Sequence, residues 1–446
     1  MNAVTVGSAI GSSDTSDGML AFARTQPASI DGLRELCMRA GADDAGVVSV
    51  SHAALDSDRG ELAAFFPWAK TLVSFVCRMN REPIRSPARS LSNLEFHHSG
   101  DHVNDVARRI VTELEASGIR AVNPSMGFPM EMDRFPGKIW VISHKRVAEA
   151  AGLGKIGIHR NVIHPKFGNF ILLGTILTDL EIEQASEPLD FNPCLECKLC
   201  VAACPVGAIS PEGEFSFAAC YTHNYREFMG GFTDWVGTIA DSKSRADYGQ
   251  RVTDAESSSM WQSLSFGPNY KAAYCMAVCP AGDDVIGPYQ EDKPGFLRDV
   301  VKPLQAKEET IYVLPDSDAE DYVAKRFPHK TTKRVGNGLR SKSIVDFLGN
   351  LTLVFNRGRS KGLDAVYHFT FTGEEAVEAT VTIRDQNLDV ELGHNGEPDL
   401  RVTADSRSWL RFLRKEAGLV WPLISRKIKL KGSPKLLMEF GRCFPS

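Results

Sequence analysis

The stretch Cys194-Leu195-Glu196-Cys197-Lys198-Leu199-Cys200-Val201-Ala202-Ala203-Cys204-Pro205 decides how the rest of the chain is read. Its spacing is C-x2-C-x2-C-x3-C-P. Three closely spaced thiolates in such a run wrap one iron–sulfur cubane, and the fourth serves a second cluster. Structural zinc sites rarely use this three-gap pattern. A shorter run follows, Cys275-Met276-Ala277-Val278-Cys279-Pro280. With two such runs, the last cysteine of each crosses to the other cluster. The first ligand set is then Cys194, Cys197, Cys200 and Cys279. The second uses Cys204, Cys275 and Cys220, which is separated from Cys204 by fifteen residues. A fourth ligand is expected three residues before Cys275, and that position is Ala272. The second cluster therefore reads as a three-iron cluster, or as a four-iron cluster with a non-cysteine ligand. His223, three residues after Cys220, is the alternative ligand. Cys37, Cys77 and Cys443 stand alone and read as buried thiols.

Outward from this module, the chain is 446 residues long, which suggests about three domains. Clustered cysteines in so large a chain argue for metal rather than a disulfide framework. Lys and Arg total 51 against 56 Asp and Glu, a net charge of −5. That balance excludes a polybasic coat for nucleic acid or membrane. No run of about 18 apolar residues is present, so no membrane span is expected. Residues 1–27 have no basic and apolar export signal and read as a flexible tail, giving a cytoplasmic expectation.

The fold class expected is α+β. Residues 28–190 read as a mixed α/β domain. Leu33–Met38 is helical in pattern with Gly41 as its stop. Ala45–Val50, Thr71–Cys77 and Phe170–Leu177 are apolar runs of strand length. Val103, Val106, Ile110, Val111 and Leu114 recur at helical spacing behind Asp101, a possible cap. Residues 191–290 hold the cysteines, and 291–344 read as a polar connector with some helix. Residues 345–446 change character. Val366–Thr372, Val377–Ile383 and Leu388–Leu392 alternate as a strand meander, followed by helices near Ser406–Glu416 and the end. Residues 401–446 carry eleven Lys/Arg against three Asp/Glu, read as a solvated basic face, the alternative being contact with an anionic lipid or protein surface.

Order and spacing over residues 30–290 resemble the epoxyqueuosine reductase and reductive dehalogenase superfamily. The resemblance rests on Ala148-Glu149-Ala150-Ala151-Gly152-Leu153-Gly154-Lys155-Ile156-Gly157, on Phe167–Gly174 with Thr178-Asp179-Leu180, and on the cysteine run. It implies a nitroreductase-like α/β domain that cradles a corrinoid (cobalamin type), fed by a ferredoxin-like module with two 4Fe-4S clusters. It also implies an electron donor of ferredoxin or flavodoxin type. By position, His97, His102, Gly152, Gly154 and Gly157 fall in the region that contacts corrinoid in that family. Two family proton donors are missing. No tyrosine precedes Tyr221, and the aspartate position falls on Lys138. Lys138, Asp133 and His144 are the replacement acids considered.

Residues 345–446 resemble the sterol carrier protein fold. The resemblance rests on Val366–Gly373, Thr380–Arg384, Pro398–Val402 and Ile428–Leu437. It implies a five-stranded sheet with helices over an apolar tunnel for lipid. The expected function is an iron–sulfur, corrinoid-supported reductase of a hydrophobic small molecule, acting by dehalogenation or deoxygenation. The alternatives are a non-catalytic electron-transfer or scaffold protein, and a tRNA epoxyqueuosine-type reductase. Net charge and the carrier-like domain argue against nucleic acid.

Overall fold

A computed structural model describes residues 29–182, 184–194, 196–414, 416 and 427–445. The tail expected at 1–27 and part of the basic C-terminal stretch lie outside these residues. The first domain is built on an antiparallel sheet of β1 (Asp44–Ser49), β2 (Thr71–Arg78), β3 (Ala121–Val122) and β6 (Ile171–Thr178), in the order β1-β2-β6-β3. β2 and β6 are buried along nearly their whole length because both faces are covered. Val47, Val73, Phe75 and Ile176 face the helices Ile30–Ala40 and Arg89–Ala116. Val48, Leu72 and Leu177 meet Val147 and Ala150 of the helix His144–Ala150 on the opposite face. A sheet with two apolar faces needs no polar alternation, which is why these strands read as continuous apolar runs. Gly174 pairs with Phe75 in register, and a Cβ there would overlap the Phe75 ring.

The helix expected to start at Asp101 instead runs from Arg89 to Ala116. Asp101 is an exposed mid-helix residue and caps nothing. The helix His144–Ala150 is stopped by a glycine. Gly152 takes φ +74°, and Leu153 N–H closes on Ala148 O at 2.9 Å. The chain then forms a short hairpin of β4 (Lys155–Ile156) and β5 (Val162–Ile163).

The cysteine module carries two five-residue helices, Leu199–Ala203 and Tyr274–Val278, packed on each other. Residues 291–344 are more than a connector. β7 (Thr310–Val313) and β8 (Thr331–Arg334) pair in parallel through the helix Asp318–Arg326. Ile311, Val313, Ala319 and Val323 pack beside Cys204, Val206 and Ala208, which joins this unit to the module.

The C-terminal sheet has the order β11-β10-β9-β12-β13, made of β9 (Ala365–Thr372), β10 (Val377–Arg384), β11 (Asn387–Leu392), β12 (Leu400–Asp405) and β13 (Ile428–Gly432). β9, β10 and β11 form the meander, and β12 returns parallel to β9. Asp385 and Gln386 both take positive φ, 50° and 59°, as a tight hairpin turn requires. Tyr367, Phe369, Phe371, Val381 and Val402 point to one face. They bury against Phe347, Trp409 and Phe440 from three helices.

Candidate functional site

Cys194, Cys197, Cys200 and Cys279 line one small enclosed cavity, walled by Ile158, His159, Ile163, Pro193, Pro280 and Ala281. The β4–β5 hairpin supplies the wall. Ile158 N–H donates to Cys194 Sγ at 3.3 Å, and a Cβ on Gly157 would lie 3.2 Å from that sulfur and 2.7 Å from Ile163 Cδ1. His159 Nδ1 accepts Asn161 N–H at 3.2 Å, so its proton sits on Nε2. Turning the Asn169 amide so that its oxygen faces Nε2 satisfies both that proton and a buried oxygen otherwise without a partner. Burial, with Lys145 nearby, lowers the His159 pKa to about 4 and keeps the ring neutral.

Cys204, Cys220 and Cys275 form the second group. Ala208 N–H donates to Cys204 Sγ at 3.3 Å. Burial, then the charge of Cys204, pushes the Cys275 thiol up to about 12. Burial does the same to Cys279, and it raises Cys200 and Cys220 as well. Thiolates so placed need a metal charge to persist. Among the described residues no three His, Cys, Asp or Glu side chains gather tightly enough to hold a single ion. All-sulfur donor sets that stand apart around a cavity fit polynuclear iron–sulfur clusters rather than one zinc.

The two helices of the module repeat each other's geometry. Lys198 and Ala273 precede them in the left-handed region, at φ 50° and 53°, and Cys204 and Cys279 end them in extended conformation. Superposing the two patterns in sequence sets Cys200 on Cys275 and Cys197 on Ala272. The missing ligand thus has the same address by geometry as by spacing. Ala272 is buried, and its N–H is held by Asn224 Oδ1 at 2.9 Å. The hydrogen bonding of His223 argues against it as the replacement ligand, although its Nε2 is buried with no partner among the described residues. Its Nδ1 accepts Tyr312 N–H at 3.3 Å, which leaves the proton on Nε2 and no lone pair there for iron. The leading charges that act on it are Glu309, Lys271, Lys330 and Lys307.

A lysine and two tyrosines lie beside the second group. Lys145 is accessible to solvent, yet surrounding protein desolvates its ammonium and lowers its pKa, opposed by Cys275 and Cys220. The ammonium is thus surrounded by protein while part of the side chain reaches solvent. Lys145 Nζ donates to Arg160 O at 2.7 Å and Asn161 Oδ1 at 3.0 Å, so one hydrogen is left over. Tyr225 and Tyr270 are half-buried, with ring centroids 5.6 Å apart. Burial raises both phenol pKa values, and Tyr225 also feels Cys220 and Cys275. Among the described residues neither hydroxyl has a hydrogen-bond partner. Phe96, Phe228 and Phe128 continue this aromatic wall.

The other residues singled out in the sequence are scattered. His144 borders the same region, held neutral by burial between Thr175 Oγ1 at 2.8 Å and Ser125 O at 3.0 Å. Lys138 pairs with buried Asp58 at 2.8 Å, and Asp133 is exposed. His97 Nε2 bonds Pro268 O at 3.0 Å, whereas His102 is exposed and reaches Gly41 O at 3.3 Å. At Gly152 and Gly154 the space for a Cβ is taken by Glu187 O and Ile163 O. Gly152, Gly154 and Gly157 therefore serve close approach of the chain to itself. Lys145, Tyr225 and Tyr270 were not singled out in the sequence. The only signal was that Lys145 lies beside His144, just ahead of the Ala148–Gly157 motif.

The 4Fe-4S binding domain family matches residues 188–210, and the SCP-2 sterol transfer family matches residues 354–445. An epoxyqueuosine reductase of Vibrio cholerae is 24% identical over 268 residues, 58% of this chain and 62% of that protein. One from Staphylococcus aureus is 38% identical over 80 residues, 18% of this chain and 20% of that protein. The chain thus spans between about a fifth and three fifths of these relatives. Among solved structures, an epoxyqueuosine reductase with a tRNA-Tyr stem loop has TM-score 0.33 at 16% identity, covering 44% of this chain and 60% of that one. A catabolic reductive dehalogenase has TM-score 0.38 at 15% identity, covering 61% and 34%. Ahead of a domain that matches the SCP-2 sterol transfer family, the chain is similar to epoxyqueuosine reductases.

Proposed function

We propose that the chain is an iron–sulfur oxidoreductase that delivers electrons to an apolar small molecule beside Cys220 and Cys275. The observation that carries this reading is the set of unpartnered donors near the second thiol group: one Lys145 hydrogen and, among the described residues, the Tyr225 and Tyr270 hydroxyls. Electrons from a reduced ferredoxin or flavodoxin would enter at the first group and leave at the second, beside which Lys145, Tyr225 and Tyr270 lie.

Flat aromatic rings and free donors gathered beside the second group support a corrinoid as the group this chain would hold, the rings suiting its macrocycle and the donors its peripheral amides. Lys145, Tyr225, Phe228 and Tyr270 would hold that group, which when bound supplies a low-potential metal centre for cleaving a polarised bond. The overall change is R–X + 2 e⁻ + H⁺ → R–H + X⁻. Tyr225 and Tyr270 keep their protons across the neutral range because burial raises their pKa values, so each can supply the proton. The C-terminal domain would retain or present the hydrophobic substrate.

A second reading, reduction of a modified tRNA, is favoured by the relatives, which carry the name epoxyqueuosine reductase. Anaerobic purification with and without cobalamin, followed by iron and sulfide analysis and EPR, tests the main reading. Iron and sulfide for two clusters and a base-off cobalt signal are expected. Full iron with no corrinoid uptake would leave the electron-carrier alternative. Turnover of an epoxyqueuosine-modified stem loop in place of any apolar substrate would favour the tRNA reading.

A further inference from the structure

Arg85 is a buried cation with almost nothing to answer its charge. It ends the helix Arg81–Arg85, and its side chain is 11% exposed. Its Nε and Nη2 are buried with no acceptor. Among the described residues its one ion-pair partner, Glu82, stands at 3.6 Å with a side chain 85% exposed, where water screens it. The guanidinium lies between two rings, 5.3 Å from the Phe170 centroid and 5.4 Å from that of Phe296. Neighbouring Arg89 is better served. It donates to Ser86 O at 3.1 Å and Ile84 O at 3.3 Å, and Glu309 is among its charged neighbours.

What lies near Arg85 is the first sulfur group. The helix Arg81–Arg85 packs against Tyr274–Val278, the helix that ends at Cys279. Cys279 is among the charges Arg85 feels. A buried cation whose ion-pair partner is a solvent-exposed carboxylate is poorly compensated, and two aromatic faces offset only part of that cost. Four thiolates around a four-iron core carry net negative charge, and reduction adds one more.

We propose that Arg85 is the counter-charge of the cluster held by Cys194, Cys197, Cys200 and Cys279, and that it raises the reduction potential of that cluster. A fixed positive charge in a low-dielectric site favours the reduced form of its neighbour. The cluster where electrons enter is thereby held up as an acceptor. Arg85 acts through the sulfur cage and touches no substrate, so it is a positioning residue.

This inference rests on the two-cluster reading, and the experiment separates the two. EPR-monitored redox titration of the full chain is compared for wild type, R85Q and R85K. R85Q is expected to move one cluster midpoint to more negative potential and leave the other in place, while R85K stays near wild type. A folded R85Q that loses half its iron while R85K keeps all of it supports the same role. Unchanged midpoints in fully loaded R85Q overturn the inference, as does an R85K shift equal to that of R85Q. A wild-type chain that takes up no iron and sulfide fails the two-cluster reading itself.

Discussion

At the scale of single residues, the cage was legible and the donors beside it were not. Seven cysteines sit within 86 positions, counted from 194 to 279, and their spacing is short-range information. Ala272 was found the same way, and the left-handed residues Lys198 and Ala273 repeat that register in three dimensions. Ala272→Cys is expected to convert a three-iron EPR signal into a four-iron one. An unchanged signal and unchanged iron count would sink the assignment of the gap. Lys145, Tyr225 and Tyr270 come from three distant segments and meet only through packing, so no local pattern marks them. His223 carries a pH effect instead of iron. Burial lowers its pKa from 6.5 to about 4, so the folded chain holds it neutral and the unfolded chain binds the proton first. Its stabilising share is full above pH 6.5 and is lost as pH falls toward 4. The upper bound is ~3 kcal/mol, from about 1.4 kcal/mol per unit. Denaturant midpoints of the apo chain at pH 7.5 and 5 should fall less for His223→Phe than for wild type, and His223→Phe should load full iron.

At the scale of elements, burial on both faces made β1, β2 and β6 readable. Two-residue strands such as β4 and β5 gave no period to read. The long helix was missed at its start because its buried positions there are Ser92, Asn93, Ser99 and Gly100, which break the apolar spacing. The β4–β5 hairpin still has a sharp role, since Gly157 leaves room for both Ile163 and Cys194. Gly157→Ala is expected to displace Cys194 and lose roughly half the bound iron, with the overall fold kept. Full iron in that variant would mean the hairpin is free to give.

At the scale of the molecule, three bodies were expected and the joints were not. The connector is the β7–β8 unit packed beside Cys204, hidden from the sequence because its four-residue strands are polar at β8. The helix Ile344–Val354 of the C-terminal domain packs against Phe217–Asn224, the helix that bears Cys220. Arg357 pairs with Glu214 at 2.6 Å, and Arg359 with Asp321 at 2.7 Å. Among the described residues no helix is long and apolar enough to cross a membrane. Deleting residues 343–446 is expected to uncover the Cys220 helix and weaken iron binding at the second group while the first stays loaded. EPR and iron counts of the truncated chain check this, and full retention of both signals would refute it.

The crossed sulfur sets bear on the order of assembly. In the proposed assignment Cys279 returns to Cys194, Cys197 and Cys200, and Cys204 reaches forward to Cys275. Each cage therefore ties a loop, of about 85 residues in the first case, whose closure costs entropy that metal binding must overcome. During synthesis neither cage can be completed until the chain has passed Cys275, and the first must wait for Cys279. Iron entry then becomes a late step that locks the module, and loss of one cluster loosens a segment that also carries ligands of the other.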